Sequence, residues 1–177
     1  MIAYRCLICG DPYMGEEIPT HCPFCGAEKT YIVKADAWLD ENIGLISISE
    51  ESEKNLRTSI QLEANNAPFY NDAMLKTRDV ELQAIFKYLS KVEREHASVI
   101  KKILKCEVPA PEPGKDVAKD SDKENLITAH AREEGAAFLY KKFADQAKEP
   151  RIRKVFTALA EIESDHIIIE EALLKKQ

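Results

Sequence analysis

Apolar side chains along the later two-thirds of the chain recur at alternating steps of three and four. Leu56, Ile60, Glu63, Ala67, Tyr70 and Met74 keep this rhythm, as do Leu82, Phe86, Leu89, Glu93, His96, Ile100 and Ile103. A third run holds Leu126, His130, Glu133, Ala137, Tyr140 and Ala144, and a fourth Ile152, Phe156, Leu159, Glu163, His166, Glu170 and Leu173. Each run draws one stripe down an α-helix, so the pattern predicts four amphipathic helices that bury their stripes against one another. The first is expected from about Glu51 to Lys76, and the second from the N-cap Asp79 to about Lys105. Ser121-x-x-Glu124 reads as a capping box opening the third, and Pro150 sits at a first-turn position of the fourth. Between helices two and three, the Pro-rich run Val108 to Gly114 and a charged stretch to Lys123 are too long for a tight hairpin. That segment predicts a crossover.

The stripes carry polar residues, and these repeat. Glu63 returns 70 positions later as Glu133, Tyr70 as Tyr140, Glu93 as Glu163 and His96 as His166. Asn55-Leu56 returns as Asn125-Leu126, and Phe86-x-x-Leu89 as Phe156-x-x-Leu159, which marks a duplicated unit. Each half offers one Glu on one helix and a Glu-x-x-His on the next, a set that holds two metal ions inside a four-helix bundle. Any one of these residues alone reads as a hydrogen-bonded core group. Four carboxylates in one apolar core repel each other and each carries a desolvation cost of several kcal/mol, which only a strong cation or protonation offsets, and two divalent or trivalent ions supply that compensation. Carboxylates with one imidazole per ion suit iron or manganese.

The 177 residues carry a net charge of −6, which argues against a nucleic-acid surface, and no segment approaches the roughly 20 apolar residues of a membrane span. No apolar signal core precedes the first cysteines, so a cytoplasmic, reducing location is expected, where paired cysteines are metal ligands rather than disulfides. Cys6-x-x-Cys9-Gly10 and Cys22-x-x-Cys25-Gly26, twelve residues apart, place four thiolates around one ion. The cysteines alone favour structural zinc. The flanking residues Tyr4, Tyr13, Pro19 and Pro23 make residues 1–34 resemble rubredoxin, whose metal is a redox-active iron. Cys106 stands outside this set and reads as incidental.

With both motifs in view, the chain resembles the rubrerythrins, which join a rubredoxin-like module to a ferritin-like di-iron bundle. Here the module comes first, as in members called reverse rubrerythrins. The implied organisation is a four-cysteine β module at 1–34, a connector at 35–50 whose course the pattern does not set, and a mainly α, ferritin-like bundle at 51–177.

The resemblance implies a non-haem peroxidase that reduces hydrogen peroxide to water. Electrons would come from an external donor (rubredoxin, a flavoprotein or an NAD(P)H reductase) through the four-cysteine iron. Glu93 and Glu163 would bridge two irons, Glu63 and Glu133 bridge or cap them, and His96 and His166 bind one each. Tyr70 and Tyr140, two turns beyond Glu63 and Glu133, are placed to hydrogen-bond a carboxylate of a neighbouring helix or to serve as core aromatics. Zinc is an expected substitute in either site.

The resemblance also implies a homodimer, with helix-pair exchange left open and a connector long enough for the module to serve a partner's di-iron site. One departure stands out. Typical members have a carboxylate three residues after the third-helix Glu, where this chain has Ala136; Glu134 is turned about 100° away. Preference for peroxide over dioxygen is thereby open, and a dioxygen-reducing oxidase or a ferroxidase or iron-handling protein is the alternative. The duplication also fails at His130 and Glu170, which replace Ile60 and Ile100. Antiparallel packing puts them on the same side of the metal layer, so they are expected to pair, with His130 as a proton donor.

Overall fold

A computed structural model describes all residues, 1–177. The N-terminal module is a three-stranded antiparallel sheet in the order β2-β1-β3, from β1 (Ile2–Cys6), β2 (Pro12–Gly15) and β3 (Ile32–Lys34). Its register pairs Tyr4 with Tyr13 and Cys6 with Ile32, so that Cys6 ends the central strand facing the module's interior. Two cysteine turns hang from this small sheet, which is too small to bury a core of its own.

Four long helices follow: α1 (Glu50–Lys76), α2 (Val80–Leu104), α3 (Asp122–Gln146) and α4 (Pro150–Leu174). Their starts are capped chemically. The Asp79 carboxylate accepts from the amides of Glu81 and Leu82, and Ser121 accepts from Glu124 N. Pro150 occupies the first turn of α4, where a missing N–H costs nothing. α1 packs along α2 and α3 along α4, with α1 also against α3. The intervening segment crosses over and is tied down by polar contacts. Gln61 donates to Ala110 O, Ala118 N to Asp72, and Arg132 to Lys115 O.

The buried stripes follow the alternating spacing, with Leu56, Ile60, Phe86, Leu89, Phe156 and Leu159 almost wholly removed from solvent. Pro68 inside α1 has no N–H to give the Ala64 carbonyl, which loosens the helix one turn beyond Glu63. The module does not float. Tyr4, Ile8, Cys25 and Ala27 belong to the same continuous apolar core as Val92, Phe156 and Ile162 of the bundle, so burial of the module's inner face holds it against α2 and α4. No helix is long and apolar enough to cross a membrane.

Candidate metal centres

Strand β1 delivers Cys6, and a tight turn brings Cys9 beside it. Gly10 takes φ of 85° and donates its N–H to Cys6 O at 3.0 Å; Gly26 takes φ of 80° and donates to Cys22 O at 2.9 Å. Both turns need the left-handed conformation that glycine adopts without penalty. Backbone amides then point at sulfur: Ile8 N lies 3.3 Å from Cys6 Sγ, and Asp11 N 3.4 Å from Cys9 Sγ.

The four buried Sγ atoms lie within 4.8 Å of one another. Cys6 and Cys25 are 3.7 Å apart, and Cys9 and Cys22 3.8 Å. A disulfide would bring two sulfurs to about 2.05 Å. A metal bound tetrahedrally at about 2.3 Å from each sulfur sets them about 3.8 Å apart, which is the spacing seen. Hydrogen bonding with Cys22 foremost, reinforced by burial, raises the thiols of Cys9 and Cys25, while hydrogen bonding within the set lowers those of Cys6 and Cys22. Forming four thiolates here therefore calls for a cation, and the donor set fits a mononuclear iron site.

In the bundle, α1 supplies Glu63, α2 Glu93 and His96, α3 Glu133, and α4 Glu163 and His166. Two overlapping clusters result. Glu63, Glu93, His96 and Glu163 form one; Glu93, Glu133, Glu163 and His166 form the other. Glu93 and Glu163 belong to both, so they are the pair placed to bridge two ions, while Glu63 and Glu133 each serve one side.

The imidazoles turn Nδ1 inward. His166 Nδ1 is 2.9 Å and His96 Nδ1 3.3 Å from Glu163. All six side chains are essentially sealed from solvent. Both oxygens of Glu93 and Glu163, Oε2 of Glu63 and Glu133, and both inward nitrogens have no hydrogen-bond partner. So many orphaned, converging acceptors are what ligands of two cations look like before the cations are counted, and the set fits a dinuclear iron site.

Electrostatics agree. Burial, then Glu163, holds the Glu93 carboxyl well above its usual range, and the same two causes push Glu133 up to about 7. Burial alone would lower both histidines and raise Glu163. Ion pairing wins instead, lifting His96 and His166 and depressing Glu163.

Both tyrosines reach across the bundle. Tyr140 donates from α3 to Glu63 on α1, and Tyr70 from α1 to Glu133 on α3. Tyr70 has a second partner with no counterpart on the other side: Glu170 Oε1, at 2.7 Å. The expected pairing of His130 with Glu170 is overturned, because no hydrogen bond or ion pair joins them. The inward position at that turn of α3 is Ala129, fully buried, which leaves the half-buried His130 about 100° round the helix, 3.7 Å from the exposed Glu134. Ala136 is buried and offers no carboxylate, and Glu134 faces solvent.

Sequence reasoning missed how the two centres meet. His96 Nε2 lies 3.0 Å from the carbonyl oxygen of Cys25, so a ligand-bearing residue of the module touches one of the bundle. Arg151 of α4 donates to the carbonyls of Leu7 and Ile8 at 2.6 and 2.8 Å, and Lys102 of α2 to Cys9 O at 3.0 Å. Gly26 comes so close to α4 that an added Cβ would stand 3.0 Å from Ile162 Cγ2. On another face of the bundle, a cavity of about 370 Å³ lined by Glu63, Ala64, Ala67, Pro68, Asn71 and Arg94 opens toward Glu63.

Comparison with known proteins agrees with this architecture. Residues 53–176 match the model of the Ferritin-like domain, and residues 4–32 that of the Rubrerythrin, rubredoxin-like domain. Reverse rubrerythrin-1 of Clostridium acetobutylicum is 31% identical over 159 residues, spanning 84% of this chain and 82% of the relative. A hypothetical protein from Pyrococcus furiosus shares the fold, with a TM-score of 0.63 and 22% identity over 70% of this chain and 88% of the other. The order of the two domains, their four-cysteine and Glu/His clusters and a relative matched over 84% of the chain together establish that the chain belongs to the rubrerythrin family, with the rubredoxin-like domain ahead of the ferritin-like one.

Proposed function

We propose that this chain is a non-haem di-iron peroxidase that reduces hydrogen peroxide to water. The reaction takes up two electrons and two protons as the O–O bond breaks and two waters form. Cys6, Cys9, Cys22 and Cys25 would hold one iron. Glu63, Glu93, His96, Glu133, Glu163 and His166 would hold two more, which supply the two electrons when reduced. The observation that carries this reading is the 3.0 Å contact between Cys25 O and His96 Nε2. It joins a one-electron thiolate site to the carboxylate site by one hydrogen bond, an arrangement that suits repeated re-reduction and has no evident use in iron storage. The residues do the remaining work. The apolar core excludes water from the carboxylates, Tyr70 and Tyr140 fix the orientation of Glu133 and Glu63, and the opening beside Glu63 is wide enough for a small oxidant.

An external electron donor and a homodimer complete the proposal. Dioxygen is the second candidate oxidant, because Ala136 stands where typical members carry a further carboxylate. Anaerobic reduction followed by stopped-flow mixing with peroxide and, separately, with dioxygen tests the reading. Faster oxidation by peroxide is expected. Faster oxidation by dioxygen would make the protein an oxidase instead.

A further inference from the structure

The phenol of Tyr70 has one proton, and two carboxyl groups reach for it. Glu133 accepts a short hydrogen bond, and Glu170 Oε1 stands 2.7 Å away. If both carboxyls were ionised, one of these two oxygen–oxygen contacts would have no hydrogen in it and would set lone pairs against each other. A second proton must therefore reside in the trio. Glu133 faces His166 and the shared carboxylates, and binding a cation requires it deprotonated. The proton falls to Glu170. That side chain is wholly buried, and its other oxygen has no partner. The first half of the duplicated unit has no such group: Tyr140 meets Glu63 alone, and Ile100 occupies the position equivalent to Glu170.

We infer that Glu170 is a built-in proton donor for the dinuclear site, acting through Tyr70 onto the Glu133 side only. In one concerted transfer Glu170 gives its proton to the Tyr70 oxygen, and Tyr70 gives its own to Glu133 Oε1. The phenol ends neutral, and the negative charge has moved from the Glu133 side to Glu170. No electron moves in this step. Glu133 then yields that proton to the oxidant and returns to its ionised form, so the proton counts as one of the two that peroxide reduction consumes, and Glu170 is reprotonated from solvent before the next turnover. Glu170 does not touch the reacting atoms, so it is a relay residue rather than a catalytic one.

The surroundings favour the neutral acid. Tyr70 faces Glu170 from α1 and Glu133 from α3, with Glu163 and His166 on its own helix, while Glu93 of α2 acts on Tyr70. Burial foremost, then Glu133, pushes the Glu170 carboxyl up to about 9.

The role rests on the peroxidase reading, and the test separates the two. In the metal-loaded protein, Glu170→Gln keeps size and a hydrogen-bond donor for Tyr70 but cannot give up a proton. The variant should retain all its metal, yet single-turnover oxidation of the pre-reduced protein by peroxide should slow about a hundredfold, the lower end of what general acid catalysis contributes. The wild-type rate should fall as pH rises through the range in which the raised Glu170 carboxyl gives up its proton, and the variant should lack that limb. Tyr70→Phe should lose it too, whereas Tyr140→Phe should keep it.

Infrared spectra supply a readout independent of turnover. The wild type should show the C=O stretch of a buried neutral carboxylic acid, absent from Glu170→Gln. Wild-type rate and pH profile in Glu170→Gln, or survival of that band, overturns the inference; so does loss of bundle metal, which would make Glu170 part of the metal-holding set. A wild type inert to peroxide, with the band still lost in the variant, would retire the peroxidase reading and leave the stored proton in place.

Discussion

The Nε2–H of His96 points at the carbonyl oxygen of Cys25, 3.0 Å away, and this contact ties the second cysteine turn of the module directly to a ligand of the bundle. It fixes the tautomer as well, because a donor at Nε2 leaves Nδ1 free to face Glu163 as a ligand. The contact depends on Gly26, whose φ of 80° and lack of a side chain let the second cysteine turn lie against Ile162.

Gly26→Ala should therefore cost about 1–2 kcal/mol from the left-handed backbone, with a further penalty from the 3.0 Å approach to Ile162. The module should tilt away from α2. Metal content should be unchanged, while electron transfer from the reduced thiolate iron to the bundle slows. Stopped-flow absorbance at the thiolate-to-iron bands would follow it. A transfer rate equal to wild type would remove the Cys25–His96 contact from the electron path.

Arg151 provides a second handle on the same interface. It is only 7% exposed, and it satisfies Leu7 O, Ile8 O and Asn42 Oδ1 at once. Arg151→Met keeps the apolar stem but leaves buried carbonyls unpaired, at roughly 1–3 kcal/mol. Limited proteolysis should then release the module at the connector before it cuts the bundle. Cleavage as slow as in the wild type would show that the module is held without Arg151, by apolar burial and the Lys102 and His96 contacts.

Much of this was legible because helical spacing is rigid. A residue's place on the stripe follows from counting, and the 70-residue duplication named partners for Glu63, Glu93 and His96 without any structure. Counting gives a face, not a neighbour. It placed Tyr70 inward but not against Glu170, and it set His130 inward where Ala129 actually takes that position. The docking of the module was illegible for a different reason. It is made by backbone carbonyls of Leu7, Ile8, Cys9 and Cys25, groups that every residue carries and no sequence pattern marks.

Metal content gives the most direct test of the two donor sets. Each purified chain should hold three ions, one in the thiolate set and two in the bundle. Glu93 and Glu163 belong to both bundle clusters, so changing both to Ala removes ligands from each ion at once. The double variant should keep its thiolate-bound metal and lose the other two by elemental analysis. Retention of all three would refute the assignment.

The metal-free protein should lose stability as pH rises. Burial foremost pushes Glu133 up to about 7 and Glu170 up to about 9, so both hold protons in the fold that the unfolded chain releases near its ordinary carboxyl value. A raised pKa contributes stability that is fully present below the unfolded value and is lost as pH climbs through the folded one. His96 and His166, also raised, add to the same slope. Glu163 works oppositely, but only in acid, below this window, whereas the lowered thiols of Cys6 and Cys22 oppose the slope within it and offset part of the loss. Each tenfold change in proton affinity is worth about 1.36 kcal/mol, so the loss sums to the order of several kcal/mol between about pH 5 and 9. Thermal melts of chelated protein should show Tm falling across that range, with a shallower slope for the metal-loaded form, whose ligating carboxylates are already deprotonated. A flat or rising Tm in the chelated protein would contradict the assignment.

The opening beside Glu63 lies in the first half of the duplicated unit. The cavity of about 370 Å³ reaches Glu63 past Ala64, Ala67 and Pro68, whereas the second half has Glu134 at the position equivalent to Ala64 and Phe138 at that of Pro68. Oxidant entering there would meet the Glu63 side, across the bundle from the Glu170–Tyr70–Glu133 relay. Ala64→Leu adds its side chain to the open cavity rather than to packed core, so stability should hold to within about 1 kcal/mol. Single-turnover oxidation by peroxide should slow several-fold, with metal content and reduction by the external donor unchanged. Glu134→Leu, the equivalent change in the second half, should leave the rate alone. Equal slowing in both variants would point to a general disturbance of the bundle, and no slowing in Ala64→Leu would place the entrance elsewhere.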